Sequence, residues 1–263
     1  MTVFVTADKA RPVPTTTIRL DPRAVLPLHA ELYLLAHDDD TGGLHINPDC
    51  LSIGLAGALL LELAFADHIV IGWVYDEFDR QWQPQPGRLT VCQPGPAGST
   101  LLDTALAAVQ RTVRARPRGE HLRAWLHTFA ANDLYERTQA AMVAAGLIRR
   151  TQLRRYAGLV KTETHLPVDI GYAIHARAQL RDAVAFHERG KYRPPAKPHD
   201  NTVALGGLIA ALELAEFLYQ RQSSRELTQW LRYVVEQHQN PSIITVVEAV
   251  DAGRGDLAVA AMR

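Results

Sequence analysis

The stretch GGLHINPDCLSIGLAGALLLELAFADHIVI, residues 42–71, decides the fold. Asn47-Pro48-Asp49 is a helix start. An asparagine side chain accepts from the first free amides, and proline suits the first helical position because no N–H is needed there. A carboxylate then faces the positive end of the helix dipole. Residues 51–61 that follow are apolar or small at every position but Ser52, and Glu62 closes the run. A helix apolar on all sides has to be enclosed by other elements. The run also falls short of the ~20 apolar residues a bilayer crossing needs. Gly54 and Gly57 lie inside it, where small residues let neighbouring helices approach closely. Residues 203–212, VALGGLIAAL, repeat the pattern with Gly206-Gly207 inside and Glu213 at the end. Two such helices predict a bundle built around them.

Outward from this centre the remaining elements follow from local signals. Residues 1–20 carry Pro and Thr without a period and are expected to form a loose arm, leaving 21–263 as one domain. Pro27 opens a helix over 27–36 with Leu28, Leu32, Leu35 and Ala36 on one face. The acidic, glycine-bearing run 38–43 breaks it. Residues 69–75 are expected to form a short strand. Residues 76–99, rich in Pro, Gly and Gln, are expected to be a surface loop with a short strand at 89–92. Helices are predicted over 101–114, 120–129 and 133–145, the last capped by Gly146. Strands at 147–156 and 158–164 turn at Ala157-Gly158 as a hairpin. A helix over 168–189 and a proline-bearing linker over 190–198 come next. Asp200 or Asn201 should cap the second buried helix, Ser223 and Glu226 form a capping box, and a short helix or two finish the chain. The expected fold is mainly α: a single-domain helical bundle around buried apolar helices, with one β-hairpin.

Composition narrows the function. The 263 residues carry 28 cationic and 28 acidic side chains, so bulk charge does not suit a protein that coats nucleic acid. Two cysteines are too few for a disulfide scaffold or a cysteine-built zinc site. The first residues show no secretory leader, so a cytoplasmic setting is expected. The charge is uneven, however. Residues 111–161 hold eleven cations against Glu120, Asp133 and Glu136, and 149–161, the hairpin, holds five cations and no acid. Such a cluster is drawn to anionic membrane by ~1 kcal/mol per Lys or Arg near the surface. The residues expected to carry lipid contact are Arg137, Arg149, Arg150, Arg154 and Arg155.

Catalytic signatures are weak. No Walker-type loop, G-x-S-x-G or H-E-x-x-H occurs. His37 with Asp38, Asp39 and Asp40 is a poor metal cage on consecutive loop residues, and His29, His37 and His45 lie eight apart, so no metal or cofactor is expected. Glu62 and Glu213 are expected where the buried helices reach the surface. Cys50, beside Asp49, reads as a partly buried, inert thiol. The order helix, Gly146, basic hairpin also fits a winged-helix DNA binder. The would-be recognition helix, with Asp133 and Glu136 against Arg137, is a poor face for phosphates, and no nucleic-acid partner is expected.

The pattern Asp49-Cys50, Gly54-Leu55-x-Gly57, Glu62-Leu63 and an Ile-rich strand resembles the Golgi phosphoprotein 3 family. The likeness continues in Leu101-Leu102-Asp103-x-Ala105-Leu106, Trp125, Gly146-Leu147-Ile148 and Thr164-His165-x-Pro167, and through the helix at 203–212. The resemblance implies a mostly helical domain and a peripheral, non-catalytic adaptor at the cytoplasmic face of a membrane. It also implies binding to phosphatidylinositol 4-phosphate or another anionic headgroup, self-association through the hairpin, and a protein partner. In eukaryotic members a tryptophan and three arginines hold the headgroup. The matching positions here are Asn47, Ala56, Asn132 and Tyr135; Arg137 does match a family arginine.

Overall fold

The computed structural model describes residues 26–76, 80–116, 122–155, 160–188, 198–219 and 224–262. At its centre stands α2 (Pro48–Phe65), started as its sequence dictates: Asn47 Oδ1 accepts from Asp49 N at 2.7 Å and Pro48 opens the first turn. By length and composition α2 could pass for a membrane span, yet 67% of it is buried inside the protein. It is enclosed by α1 (Leu28–Leu35), α3 (Thr100–Ala115), α4 (Leu122–Ala130), α5 (Leu134–Ala144), α7 (Asp200–Ala211) and α10 (Pro241–Ala261). The second apolar run, α7, is enclosed in turn by α6 (Gly171–Glu188), α9 (Ser224–His238) and α10. The buried residues of both runs belong to one continuous core cluster.

Two glycines show why the apolar helices carry them. A Cβ on Gly57 would stand 2.6 Å from Val250 Cγ2 of α10, and one on Gly207 would stand 2.6 Å from Val247 Cγ2 and 2.9 Å from Val235 Cγ2. These are contacts a β-branched neighbour, stiff at χ1, cannot relieve by turning.

The mainly α architecture with its basic hairpin is as expected, with several corrections. α1 is buried on all its faces, not on one, because α2, α6, α7 and α5 surround it. Residues 76–99 hold a full strand: β1 (Ile69–Asp76) pairs antiparallel with β2 (Gln81–Val91) as a second hairpin. Pro84 and Pro86 mask this strand in the sequence. They are tolerated because each strand of a two-stranded sheet has a free edge, and the register shift beside Gly72 absorbs the extra residues around Gly87. The helix expected from 168 begins at Gly171, whose amide donates to Asp169 Oδ1 at 2.7 Å. Neither Asp200 nor Asn201 caps α7. His199 holds that position without a side-chain bond, and Asp200 instead accepts from His238 and from Asn240 Nδ2. The chain ends in one long helix, α10, opened by Asn240 and Pro241 with the same chemistry as Asn47 and Pro48. The short α8 (Ala215–Leu218) was not expected. The N-terminal arm, the turn at Ala157-Gly158, most of the 190–198 linker and Ser223 lie outside the described residues.

Candidate functional site

The basic hairpin is aimed by the end of α5. Gly146, at φ +72°, closes the helix with Leu147 N donating to Met142 O at 3.0 Å and Gly146 N to Val143 O at 3.0 Å. The chain then enters β3 (Ile148–Arg155), paired with β4 (Val160–Pro167) from Ile148↔Pro167 to Arg155↔Val160. The hairpin is fastened to the body at its base. Thr164 Oγ1 donates to Thr41 O at 2.8 Å, and Gly42 packs so close that a Cβ there would stand 2.4 Å from His165 O. The acidic run serves this fastening. Asp38 Oδ1 accepts from Thr41 N and Thr41 Oγ1, both at 2.7 Å, and these bonds hold its carboxyl below the usual range. Asp39 takes a two-pronged guanidinium bond from Arg177 of α6, at 2.6 and 3.1 Å. No group of three or more His, Cys, Asp or Glu among the described residues could hold a metal ion.

Successive side chains on a strand point to opposite faces, so Arg149 and Arg150 project from opposite sides of the ribbon. Arg150 is ion-paired with Glu163. Arg149 is exposed and has no carboxylate partner among the described residues. Arg154 and Arg155 have backbone positions in β3, opposite Lys161 and Val160; their side chains lie outside the described residues. Arg137 stands apart on α5, half-buried, its guanidinium carbon 5.3 Å from the centre of the Phe129 ring. Beside the open end of the hairpin lies an apolar group the sequence reading missed. Val168, Ile170 and Ile174 are 50%, 45% and 55% exposed, and Val168 N is bonded to Leu147 O at 2.9 Å. The available signal was three aliphatic residues at a helix entry where polar ones are usual.

The four positions that the resemblance implies for headgroup contact make other contacts. Asn47 caps α2, Ala56 is fully buried, and Asn132 donates to Thr128 O at 2.7 Å. The Tyr135 ring stacks with those of His37 and Tyr33, at 5.9 and 5.8 Å between centres. His37 Nδ1 lies 2.7 Å from Tyr33 O, which can only accept, so Nδ1 carries the proton and Nε2 accepts from the Tyr135 hydroxyl at 3.0 Å. Gln139 Nε2 donates to Tyr33 Oη at 2.9 Å. Burial lowers His37 to about 4 and raises both phenols. Tyr135 therefore sits in a neutral, hydrogen-bonded stack.

A second region breaks an expectation. Glu62 does not mark the point where α2 reaches water: its side chain is 11% exposed and its Oε1 accepts from both His29 N and His29 Nδ1 at 2.7 Å. Glu62, in the last turn of α2, thereby caps the first turn of α1, since Pro27 offers no capping side chain. Glu213 does emerge as expected, exposed and bonded to Arg254 at 3.0 Å. Glu31, one turn of α1 away from Pro27 and 3% exposed, is raised to about 7 by burial and then by Glu62. His29, Glu62 and Arg137 line one cavity of ≈ 840 Å³ between α1, α5 and the entry to α3. The sequence signal for it was a glutamate closing an otherwise apolar helix.

A family model described as Golgi phosphoprotein 3 matches residues 28–261. No curated protein matches the chain.

Proposed function

The chain belongs to the Golgi phosphoprotein 3 family, and on that basis we propose that it is a non-catalytic adaptor that docks on anionic membrane at the cytoplasmic face. The contact is made by the base of the basic hairpin. The observation that carries this reading is that, at one end of β3, Arg149 is exposed with no carboxylate partner among the described residues, and the exposed aliphatic residues Val168, Ile170 and Ile174 follow the end of its partner strand β4. A guanidinium pairs with lipid phosphate or carboxylate oxygens. Aliphatic side chains beside it gain by leaving water for the acyl boundary, the two-part logic of interfacial binding. Arg154 and Arg155 hold backbone positions farther along β3, while Arg150 contributes less because Glu163 offsets it.

The lipid is an anionic phospholipid, with phosphatidylinositol 4-phosphate the family's example. The replacement of the family's headgroup residues by Asn47, Ala56, Asn132 and Tyr135 favours recognition of charge over recognition of one headgroup. The free edges of the hairpin suit pairing with a second copy of the chain. Co-sedimentation with phosphatidylcholine vesicles, plain or doped with phosphatidylserine or phosphatidylinositol 4-phosphate, tests the proposal at low and high salt. Binding to both doped vesicles, weakened by salt and absent on plain ones, is the expected result. Failure to bind any anionic vesicle at low salt overturns it.

A further inference from the structure

The cavity between α1, α5 and the entry to α3 is distinct from the exposed Arg149 contact. It is a half-open cleft of ≈ 840 Å³, within the range of small-molecule sites. Most of its lining is apolar and small, with Leu101, Ala141 and Met142 among the walls. Two polar features converge on it. One is Arg137, whose guanidinium rests against the Phe129 ring and has no carboxylate partner among the described residues. The aromatic contact fixes the guanidinium without neutralising it, which leaves its donors for a ligand. The other is the His29 imidazole, held at Nδ1 by Glu62. No described residue bonds to its Nε2, so this nitrogen is left for the cavity.

The charges around the cavity also select a sign. The Glu62 carboxylate is answered twice by His29 and stands at the N-terminus of α1, whose dipole favours it. The first turn of α3, where Thr100 and Leu101 line the same cavity, adds a second positive helix end. Arg137, by contrast, has no carboxylate partner among the described residues. We propose that this cavity binds a small amphiphile with an oxyanion head: a carboxylate or phosphate monoester accepting from Arg137 and, with the imidazole protonated on both nitrogens, from His29 Nε2, with an aliphatic body against Leu101, Ala141 and Met142. The head could be supplied by a free metabolite or by a lipid drawn from a bilayer. The site is separate from the Arg149 contact and stands whether or not the membrane reading does.

The test uses the full chain and octyl phosphate as probe, with octanol, inorganic phosphate and phosphatidylcholine–phosphatidylserine vesicles as comparisons, followed by calorimetry. One octyl phosphate per chain is expected, with octanol and inorganic phosphate each weaker by about tenfold or more, since each lacks half of the recognition. Arg137→Gln should weaken octyl phosphate by about tenfold or more. Ala141→Phe should abolish binding by filling the apolar half; if that variant loses its helical signal, Ala144→Trp on the exposed rim takes its place. Arg149→Glu should bind octyl phosphate like the parent chain, whatever it does on vesicles. Competition between vesicles and octyl phosphate assigns the ligand to the bilayer, and its absence assigns it to a soluble pool; both support the pocket. No saturable binding by the parent chain, or binding that Arg137→Gln and the filling variant leave unchanged, overturns it.

Discussion

Glu31 and His37 make the folding stability depend on pH in opposite senses, and one substitution separates them. Glu31 is 3% exposed and its carboxyl is raised from 4.5 to about 7 by desolvation, with Glu62 adding to the effect. Between those values the unfolded chain has released the proton and the folded chain keeps it, so stability falls as pH rises. At about 1.4 kcal/mol per unit the shift amounts to ~3 kcal/mol, present below pH 4.5 and gone above 7. His37, 7% exposed, is lowered from 6.5 to about 4 by burial. Its contribution, again ~3 kcal/mol, is present above pH 6.5 and lost as pH falls to 4. From pH 4.5 to 6.5 the two slopes cancel and these groups leave the parent protein's stability flat. Glu31→Gln keeps the shape and removes one slope. Urea unfolding followed by circular dichroism should find the variant gaining on the parent by about 3 kcal/mol between pH 4.5 and 7. Its own stability should climb with pH across the His37 window. A difference between variant and parent that stays constant across this range refutes the reasoning, because it means that Glu31 is ionised in the folded protein as readily as in the unfolded chain.

Packing around the glycines predicts a graded response in thermal unfolding. Gly207→Ala should lower stability by about 1–3 kcal/mol despite the ~1 kcal/mol helix-propensity gain, because Val247 and Val235 cannot move away. Gly54→Ala should stay within about 1 kcal/mol of the parent, since the atom it meets is the end of the flexible Leu212 side chain. Asn47→Ala should cost about 1 kcal/mol for one lost cap, and Asn240→Ala about 1–2 kcal/mol because Asn240 also bonds Asp200. On vesicles containing phosphatidylserine, Arg149→Glu should lower partitioning roughly thirtyfold, the equivalent of about 2 kcal/mol for a reversed charge. Arg150→Glu, on the other face of the ribbon, should change it little; equal losses from both variants count against a one-faced contact.

The elements whose boundaries rest on local chemistry were legible in the residues. Asn47-Pro48-Asp49 starts α2 where the capping pattern puts it, Gly146 ends α5 in the left-handed conformation, and the apolar runs are buried on all sides. The failures share a cause. Asp200 has the right chemistry for an N-cap, but His238 and Asn240, distant in sequence, claim its oxygens. Pro84 and Pro86 argue against a strand, but β2 needs a partner on one edge only. Asn240-Pro241 carried the same start signal as Asn47-Pro48, and it opens a helix far longer than the short ones expected of the chain end.

The candidate sites divide in the same way. That the hairpin is basic is a property of composition and needs no coordinates. Which of its arginines remain free is not, because Glu163 reaches Arg150 across the strand pair and a two-residue period sends Arg149 to the other side. The sequence alone determined the bundle, the central helices and the sign of the exposed ribbon, since each depends on hydrophobic period, capping chemistry and charge count within a few residues. Only the tertiary structure decided that Glu62 would meet His29 across 33 positions, that Tyr135 would stack on His37 across 98, and that Arg137 would border a cavity. Those outcomes depend on which helix ends and faces the packing of α1, α2 and α5 brings together, and no local pattern encodes that meeting.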